Sequence, residues 1–313
     1  MSRAEALRAR AAIRRAVRDL FDREGFVEVE TPARVRAPGQ EVHLDAVASE
    51  GRWLVTSPEY HMKRLVADGL PRIYQIGKAW RADERGPHHA TEFTMLEWYA
   101  AGEPLESLAA QCERIVDAAA AAVGRRRPEI AAPFVRTTVR ELWRRHAGID
   151  LQGDESADTL RRKALGAGVA VGSATAWDDV FFQVWLDRVE PALASGPPTF
   201  VFDWPAPLAA LARRKPDAPA WAERFELYAG GLELANAFGE LTDPVEQRAR
   251  FEEESAVRAA RGKVVYPIDE RLLDAIGRMP PTSGIALGFD RLVMLVLGIG
   301  DIREVVAFAE DNV

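Results

Sequence analysis

The chain has 313 residues, 48% of them hydrophobic, enough to bury a sizeable core as one large domain or two ordinary ones. A formal net charge of -7 excludes broad, sequence-independent binding to nucleic acid, which needs an excess of Lys and Arg to displace counterions from phosphates. The single cysteine, Cys112, excludes an internal disulfide and a multi-cysteine zinc site. With no apolar run of membrane-spanning length and no signal-peptide core behind Met1, the expectation is a cytoplasmic protein.

Leu7, Ile13, Val17, Leu20 and Phe21 recur at helical spacing, Gly25 ends that helix, and Phe26 to Glu30 reads as a strand stopped by Thr31-Pro32. Arg3, Arg8, Arg10, Arg14, Arg15 and Arg18 crowd the same helix, as either a solvated face or a docking surface for an acidic macromolecule. Trp53 to Thr56 reads as a second strand. Ser57-Pro58-Glu59-Tyr60 then opens a helix with a Ser cap, Pro at the first helical position and Glu59 against the helix dipole.

Ile73 to Arg81 and Glu92 to Tyr99 are aromatic and rich in β-formers, with Gly86, Pro87, His88 and His89 as loop between them, which predicts a hairpin with a long tip. Phe93, Met95, Glu97 and Tyr99 share one strand face, so the Glu97 carboxylate stands among apolar and aromatic side chains and is costly unless a cation meets it. Arg81 or Glu97 alone reads as part of a buried ion network. Together they outline a pocket with a guanidinium for phosphate at one end and a carboxylate for an ammonium at the other.

Leu105 to Val123 is an Ala-rich helix, and further helices with Gly and Pro breaks run from about Thr138 to Leu193 without a chemical motif. Arg224 to Glu240 predicts two strands around a Gly230-Gly231 turn. Tyr228 then faces Glu233, and Glu226 is a diagonal neighbour of Glu233, roughly 7–8 Å away at Cα. Two such carboxylates can share Mg²⁺ with phosphate oxygens, or stand as surface charges on a hairpin. Asn236, Phe238 and Glu240 alternate on one face and suit an alkylammonium, but strict alternation turns them from Glu233 unless a bulge or bend lies near Ala235. Gly284, Ala286 and Gly288 leave a strand face nearly bare for a flat ligand, and Asp290 is expected to cap an apolar helix carrying Arg291. The glycine spacing is not a dinucleotide fingerprint.

Arg81 after one strand, Glu92 to Glu97 on its partner, and Gly284-x-Ala286-x-Gly288-x-Asp290-Arg291 opening the last helix together resemble motifs two and three of the class II aminoacyl-tRNA synthetases; Phe26 to Pro32 resembles motif one. Thr56 to Leu65, Glu92 to Tyr99 and Glu233 to Asp243 are similar to the lysine branch. Arg258 to Gly262 and Pro267-Ile268-Asp269 are similar to the lysyl-tRNA synthetase paralogues that ligate lysine to elongation factor P.

The resemblance implies an α+β class II catalytic domain, an antiparallel sheet flanked by helices, over residues 1–313, with a mainly helical insertion at about 103–195 and no anticodon-binding domain. It implies ATP and Mg²⁺ as cofactors, a homodimer through motif one, lysine or (R)-β-lysine as substrate, and elongation factor P as acceptor. By the same resemblance Arg81 grips the α-phosphate, Arg291 and Phe93 sandwich the adenine, His89 and the Asp83 loop meet ATP, and Glu226 and Glu233 hold Mg²⁺. Glu59 meets the backbone-end amine, and Glu97, Tyr99, Asn236, Phe238 and Glu240 meet the side-chain ammonium. Asp83 stands where the family has Glu, Ala90-Thr91 where it has Asn-Pro, and Ala237 replaces a Gly, which is expected to tighten the pocket. Ala286 is expected to crowd an α-amino group and to favour a β-amino acid. Alternatives are a fragment that charges tRNA and a non-catalytic amino-acid-binding module.

Overall fold

The computed structural model describes residues 1–309. Ser2 and Glu5 form a reciprocal cap on the first helix, α1 (Arg3–Arg23), which ends before Gly25 at a φ of 76°. Strand β1 (Val27–Glu28) keeps only part of the run expected from Phe26 to Glu30, because the Thr31 N–H turns to the Gln75 side chain at 2.9 Å and leaves the ladder. A small separate sheet holds β2 (Arg34–Val35), β3 (Ala48–Ser49) and β4 (Arg52–Leu54), so the strand expected to reach Thr56 stops short, where the Thr56 hydroxyl donates to the Pro38 carbonyl. Helix α2 (Glu59–Ala67) starts one residue after Pro58, with the Ser57 hydroxyl accepting from the Glu59 N–H at 3.1 Å.

The expected hairpin is β5 (Arg72–Trp80) against β6 (Glu92–Ala101), followed by α3 (Leu105–Ala122). Then come β7 (Val135–Thr138), α4 (Val139–Leu142), α5 (Ala157–Gly166), α6 (Trp177–Val184), α7 (Glu190–Ala194) and β8 (Thr199–Pro205). The last third holds β9 (Arg214–Lys215), β10 (Ala218–Ala229), β11 (Leu232–Gly239), α8 (Pro244–Ala260), α9 (Glu270–Ile276), β12 (Thr282–Gly288) and α10 (Phe289–Leu297). The main sheet runs β1-β5-β6-β12-β11-β10-β8-β7, with β9 beside β10; only its two end pairs, β1–β5 and β7–β8, are parallel.

Period-two alternation sorts the two faces of this sheet. Leu96, Trp98 and Ala100 of β6, Ala235 and Ala237 of β11, and Ile285 and Leu287 of β12 are buried in one core with α1, α3 and α10. Phe21 of α1 stacks on Tyr74 with centroids 4.5 Å apart and meets Trp98 edge-on at 5.4 Å, contacts worth about 0.5–1.5 kcal/mol each beyond their area. Ala237 is therefore core, not pocket wall, and does not tighten the site as the sequence led us to expect. The helical stretch expected from about 103 to 195 divides: α3 joins the main core, whereas residues from Val139 to Leu193 build their own around Trp143, Phe181 and Trp185. Asp290 does not cap α10. The cap lies two residues earlier, at Gly288, and the buried Asp290 accepts the Thr94 N–H at 2.7 Å and pairs with Arg10 at 2.5 Å, tying α10 to β6 and α1. No described helix is long and apolar enough to cross a membrane.

Candidate active site

The opposite face of β6, β11 and β12 floors a cavity of about 910 Å³. Its floor is low because β12 offers Gly284, Ala286 and Gly288 on that face, and a Cβ on Gly284 would overlap Glu240 Oε1 and the Tyr99 ring. Gly284→Ala is accordingly expected to displace both groups and cut lysine-dependent ATP–pyrophosphate exchange by at least about tenfold with the fold retained, the order of one misplaced binding group. Exchange kinetics beside circular dichroism check it.

At one end stand Arg81, Phe93, His89, Glu233 and Arg291. The Arg81 guanidinium lies over the Phe93 ring at 5.2 Å and is 3.7 Å from Glu84, while its Nε is buried without a hydrogen-bond partner among the described residues. Arg291 donates to the Glu233 carbonyl at 2.6 Å and the His88 carbonyl at 3.3 Å, which fixes it against the β11 rim. Desolvation, then the neighbouring Arg291, hold His89 below the ordinary histidine range. Asp83 is exposed, has a φ of 63° and does not line the cavity; Glu84 next to it does. The left-handed residue turns the chain so that its neighbour faces in.

At the other end Glu59, Glu97, Tyr99, Asn236, Phe238, Glu240 and Ala286 line the wall. The Glu97 carboxylate, 1% exposed, accepts from Ser57 and from Tyr99, each at 2.7 Å. Glu240 is not free for a ligand alone: fully buried Lys63 lies 2.6 Å from both Glu59 and Glu240. Burial alone would lower Lys63, but Glu240 and Glu59 outweigh it and hold its ammonium above its ordinary value. Glu59 and Glu240 thus share one internal cation, with Glu97 close to both, and the Oδ1 of Asn236, also buried, has no hydrogen-bond partner among the described residues. The arrangement leaves room for a second ammonium.

Burial, with Glu59 adding, pushes Glu97 up to about 8; burial pushes Glu240 up to about 8 against the pull of Lys63. At these two acids the folded chain therefore holds more protons than the unfolded chain between the ordinary 4.5 and about 8. The stability these acids contribute is complete below the lower value and is lost as pH rises through the upper one. Unfolding free energy of the ligand-free protein is expected to decline between about pH 5 and 8, more steeply than in Glu97→Gln, by urea denaturation across that range.

A single bulge settles which residues share the β11 face. Tyr228 pairs with Glu233 and Leu227 with Ala235, so Leu234 is the extra residue, and Glu226, Glu233, Asn236 and Phe238 come onto one side. Gly230 and Gly231 at φ of 59° and 78° make the turn. Glu226, however, does not reach the cavity wall: Arg224 holds it at 2.5 Å and Tyr228 at 2.6 Å. Burial, then Glu233, push Glu226 up to about 7.

A family model described as tRNA synthetases class II (D, K and N) matches residues 2–312. The chain belongs to that family. Among curated relatives it is 40% identical over 315 residues to the elongation factor P–(R)-β-lysine ligase of Erwinia tasmaniensis, covering 97% of this chain and 94% of that one. Proteins of the same name from Klebsiella pneumoniae strain 342 and Salmonella paratyphi B are 39% and 38% identical over 317 residues, with the same coverage.

Class II synthetases of this kind use ATP, generally with Mg²⁺. Among the described residues no group of three or more His, Cys, Asp or Glu could hold a metal ion. Two carboxylates still fit Mg²⁺, which keeps several waters and takes one or two protein carboxylates beside substrate phosphates. Burial first, and then the charge of Glu233, raise Glu226, so a cation at this pair would relieve a cost already present. Sequence reasoning gives Lys63, Arg224, Glu41 and Glu254 no role, yet all but Lys63 line the cavity, and Lys63 sits directly behind Glu59 and Glu240. The spacing of Glu59 and Lys63, one helical turn apart, is a usable signal for the first of them.

Proposed function

We propose that this class II synthetase-like protein activates lysine or (R)-β-lysine with ATP and transfers it to a lysine side chain of elongation factor P. What supports this is one cavity with Arg81 and Arg291 at one end and, at the other, buried Glu59 and Glu240 on Lys63 with Glu97 beside them, on a chain whose curated relatives carry that ligase name.

In the first step a carboxylate oxygen of the amino acid bonds to the α-phosphorus of ATP and pyrophosphate leaves. Both reactants are anionic, so Arg81 grips the α-phosphate and Arg291, fixed by the Glu233 carbonyl, holds the adenine against Phe93. Glu226 and Glu233 would hold Mg²⁺, which supplies counter-charge to phosphate oxygens. Glu59 takes the backbone-end amine, and Glu97, Tyr99, Asn236, Phe238 and Glu240 receive the side-chain ammonium. In the second step the acceptor amine displaces AMP.

Ala286 pairs with Glu97 on one side and Asn236 on the other, so its methyl stands on the floor between the two groups that meet the substrate. It crowds an α-amino group more than a β-amino group, which favours (R)-β-lysine. The α1–β1 edge, where Val27 is half exposed, is the homodimer contact in this reading.

Incubation with ATP, each lysine isomer and elongation factor P, followed by intact mass, tests the function. Mass gain on the factor, larger with the β isomer, is expected. Equal or better use of α-lysine in pyrophosphate exchange refutes the isomer preference, and aminoacylation of tRNA without modification of the factor refutes the acceptor.

A further inference from the structure

The transfer step needs a base, and the wall opposite the sheet provides a candidate. The loop from Pro38 to Asp45 is braced against α8 and the segment after it. The Gln40 amide donates to the Tyr266 and Pro267 carbonyls at 3.2 and 3.1 Å and accepts from Ser255 at 3.1 Å. Fully buried Arg258 donates to the Glu41 and Leu44 carbonyls at 2.8 Å and pairs with Asp45 at 2.6 Å.

This brace fixes the backbone at Glu41. Its Oε2 is closed to solvent, has no hydrogen-bond partner among the described residues, and fills the space left by Gly39, where a Cβ would overlap it. A buried carboxylate oxygen without a donor is costly, and Glu41 as a residue stays partly exposed on the cavity wall, which points to a ligand that supplies a donor to its carboxylate. The titratable groups that face Glu41 are Glu59, Tyr60 and Lys63 from α2, Arg81 after β5, and Glu254 on α8 one turn ahead of Arg258. Arg250 and Glu253 lie beside Glu254. Glu41 thus stands near the residue that grips the α-phosphate, where the acyl phosphate would lie.

Resting on the function proposed above, we propose that Glu41 accepts the proton that the ε-ammonium of the acceptor lysine must lose before attack, with Glu254 extending the acidic wall along which that ammonium arrives. The nitrogen lone pair forms the C–N bond at the acyl carbon. The C–O bond to phosphate breaks, and AMP leaves with that electron pair. One proton ends on Glu41; the second, from the nitrogen of the new amide, passes to AMP or water. A lysine amine with a pKa of about 10.4 is neutral in fewer than about one molecule in a thousand at pH 7, so the base has a real task. Burial, with Glu59 adding, lifts Glu41 above the ordinary carboxylate range, and burial with Glu41 pushes Glu254 up to about 8, which suits proton transfer near neutral pH.

The test separates the two half-reactions. Pyrophosphate exchange with lysine measures activation, and single-turnover mass gain on elongation factor P, added to preformed adenylate, measures transfer. In Glu41→Gln, transfer is expected to fall at least about 30-fold more than exchange near pH 7.5, with the deficit closing as pH approaches about 9.5 and the acceptor supplies its own free amine. Equal losses in both half-reactions, transfer at the parent rate, or a deficit independent of pH would overturn the assignment. A parent protein that shows no exchange, or exchange without transfer, defeats the underlying function and this inference with it.

Discussion

Arg81→Ala is expected to lower kcat/KM for lysine-dependent pyrophosphate exchange by about 10²–10³-fold, the scale of removing one preorganised charge donor from a transition state. The residue has little else to do in the fold. Its ion pair to Glu84 is long at 3.7 Å with both side chains partly exposed, and such pairs contribute about 0–1 kcal/mol. Its contact with the Phe93 ring adds about 0.5–1 kcal/mol. The urea midpoint should therefore move little while activity collapses. Arg81→Lys should recover only a small part, since an ammonium cannot make the two parallel bonds that a guanidinium makes to phosphate. Exchange kinetics with parent-like denaturation curves are the expected pair of results; retained exchange would remove Arg81 from the phosphate site.

The elements whose meaning is local are legible in the sequence. In β6 the alternation of Leu96, Trp98 and Ala100 with Met95, Glu97 and Tyr99 marks both faces of the sheet through residue order alone, because a strand has only two sides. A bulge near Ala235 is required by the chemistry of Glu233 and Asn236, although only the paired register shows Leu234 as the extra residue. Asp290 misleads for the opposite reason. Its cap-like position is a local signal, and Arg10 and the Thr94 N–H, both distant in the chain, claim the carboxylate instead. The Glu41 loop has no periodicity to read; its conformation comes from Gln40 and Arg258, whose partners lie on opposite ends of the sequence. Glu226 is readable as a carboxylate beside Glu233 but not as one held by Arg224, which depends on side-chain orientation rather than spacing.

Lys63 is legible only through its one-turn spacing from Glu59, because a lysine is by default a solvated residue and its second partner, Glu240, is reached only through the fold. Its removal should have the largest effect on stability. Lys63→Met fills a similar volume but leaves Glu59 and Glu240 facing Glu97 without a cation, and breaking a buried pair in this way costs about 3–5 kcal/mol. The loss is expected to be greatest near pH 8, where the parent acids ionise, and to shrink toward pH 5, where protonation removes the repulsion that Lys63 otherwise offsets. The sign separates this from a packing defect, whose cost would not change with protonation. Free lysine, bringing an ammonium to the same carboxylates, should then raise the urea midpoint of the variant more than that of the parent, by mass action on the folded state alone. A variant as stable as the parent at pH 8, or one whose deficit ignores pH, would mean that Lys63 offsets no ionised acid in the folded protein and that the ammonium pocket must be sought elsewhere on the wall.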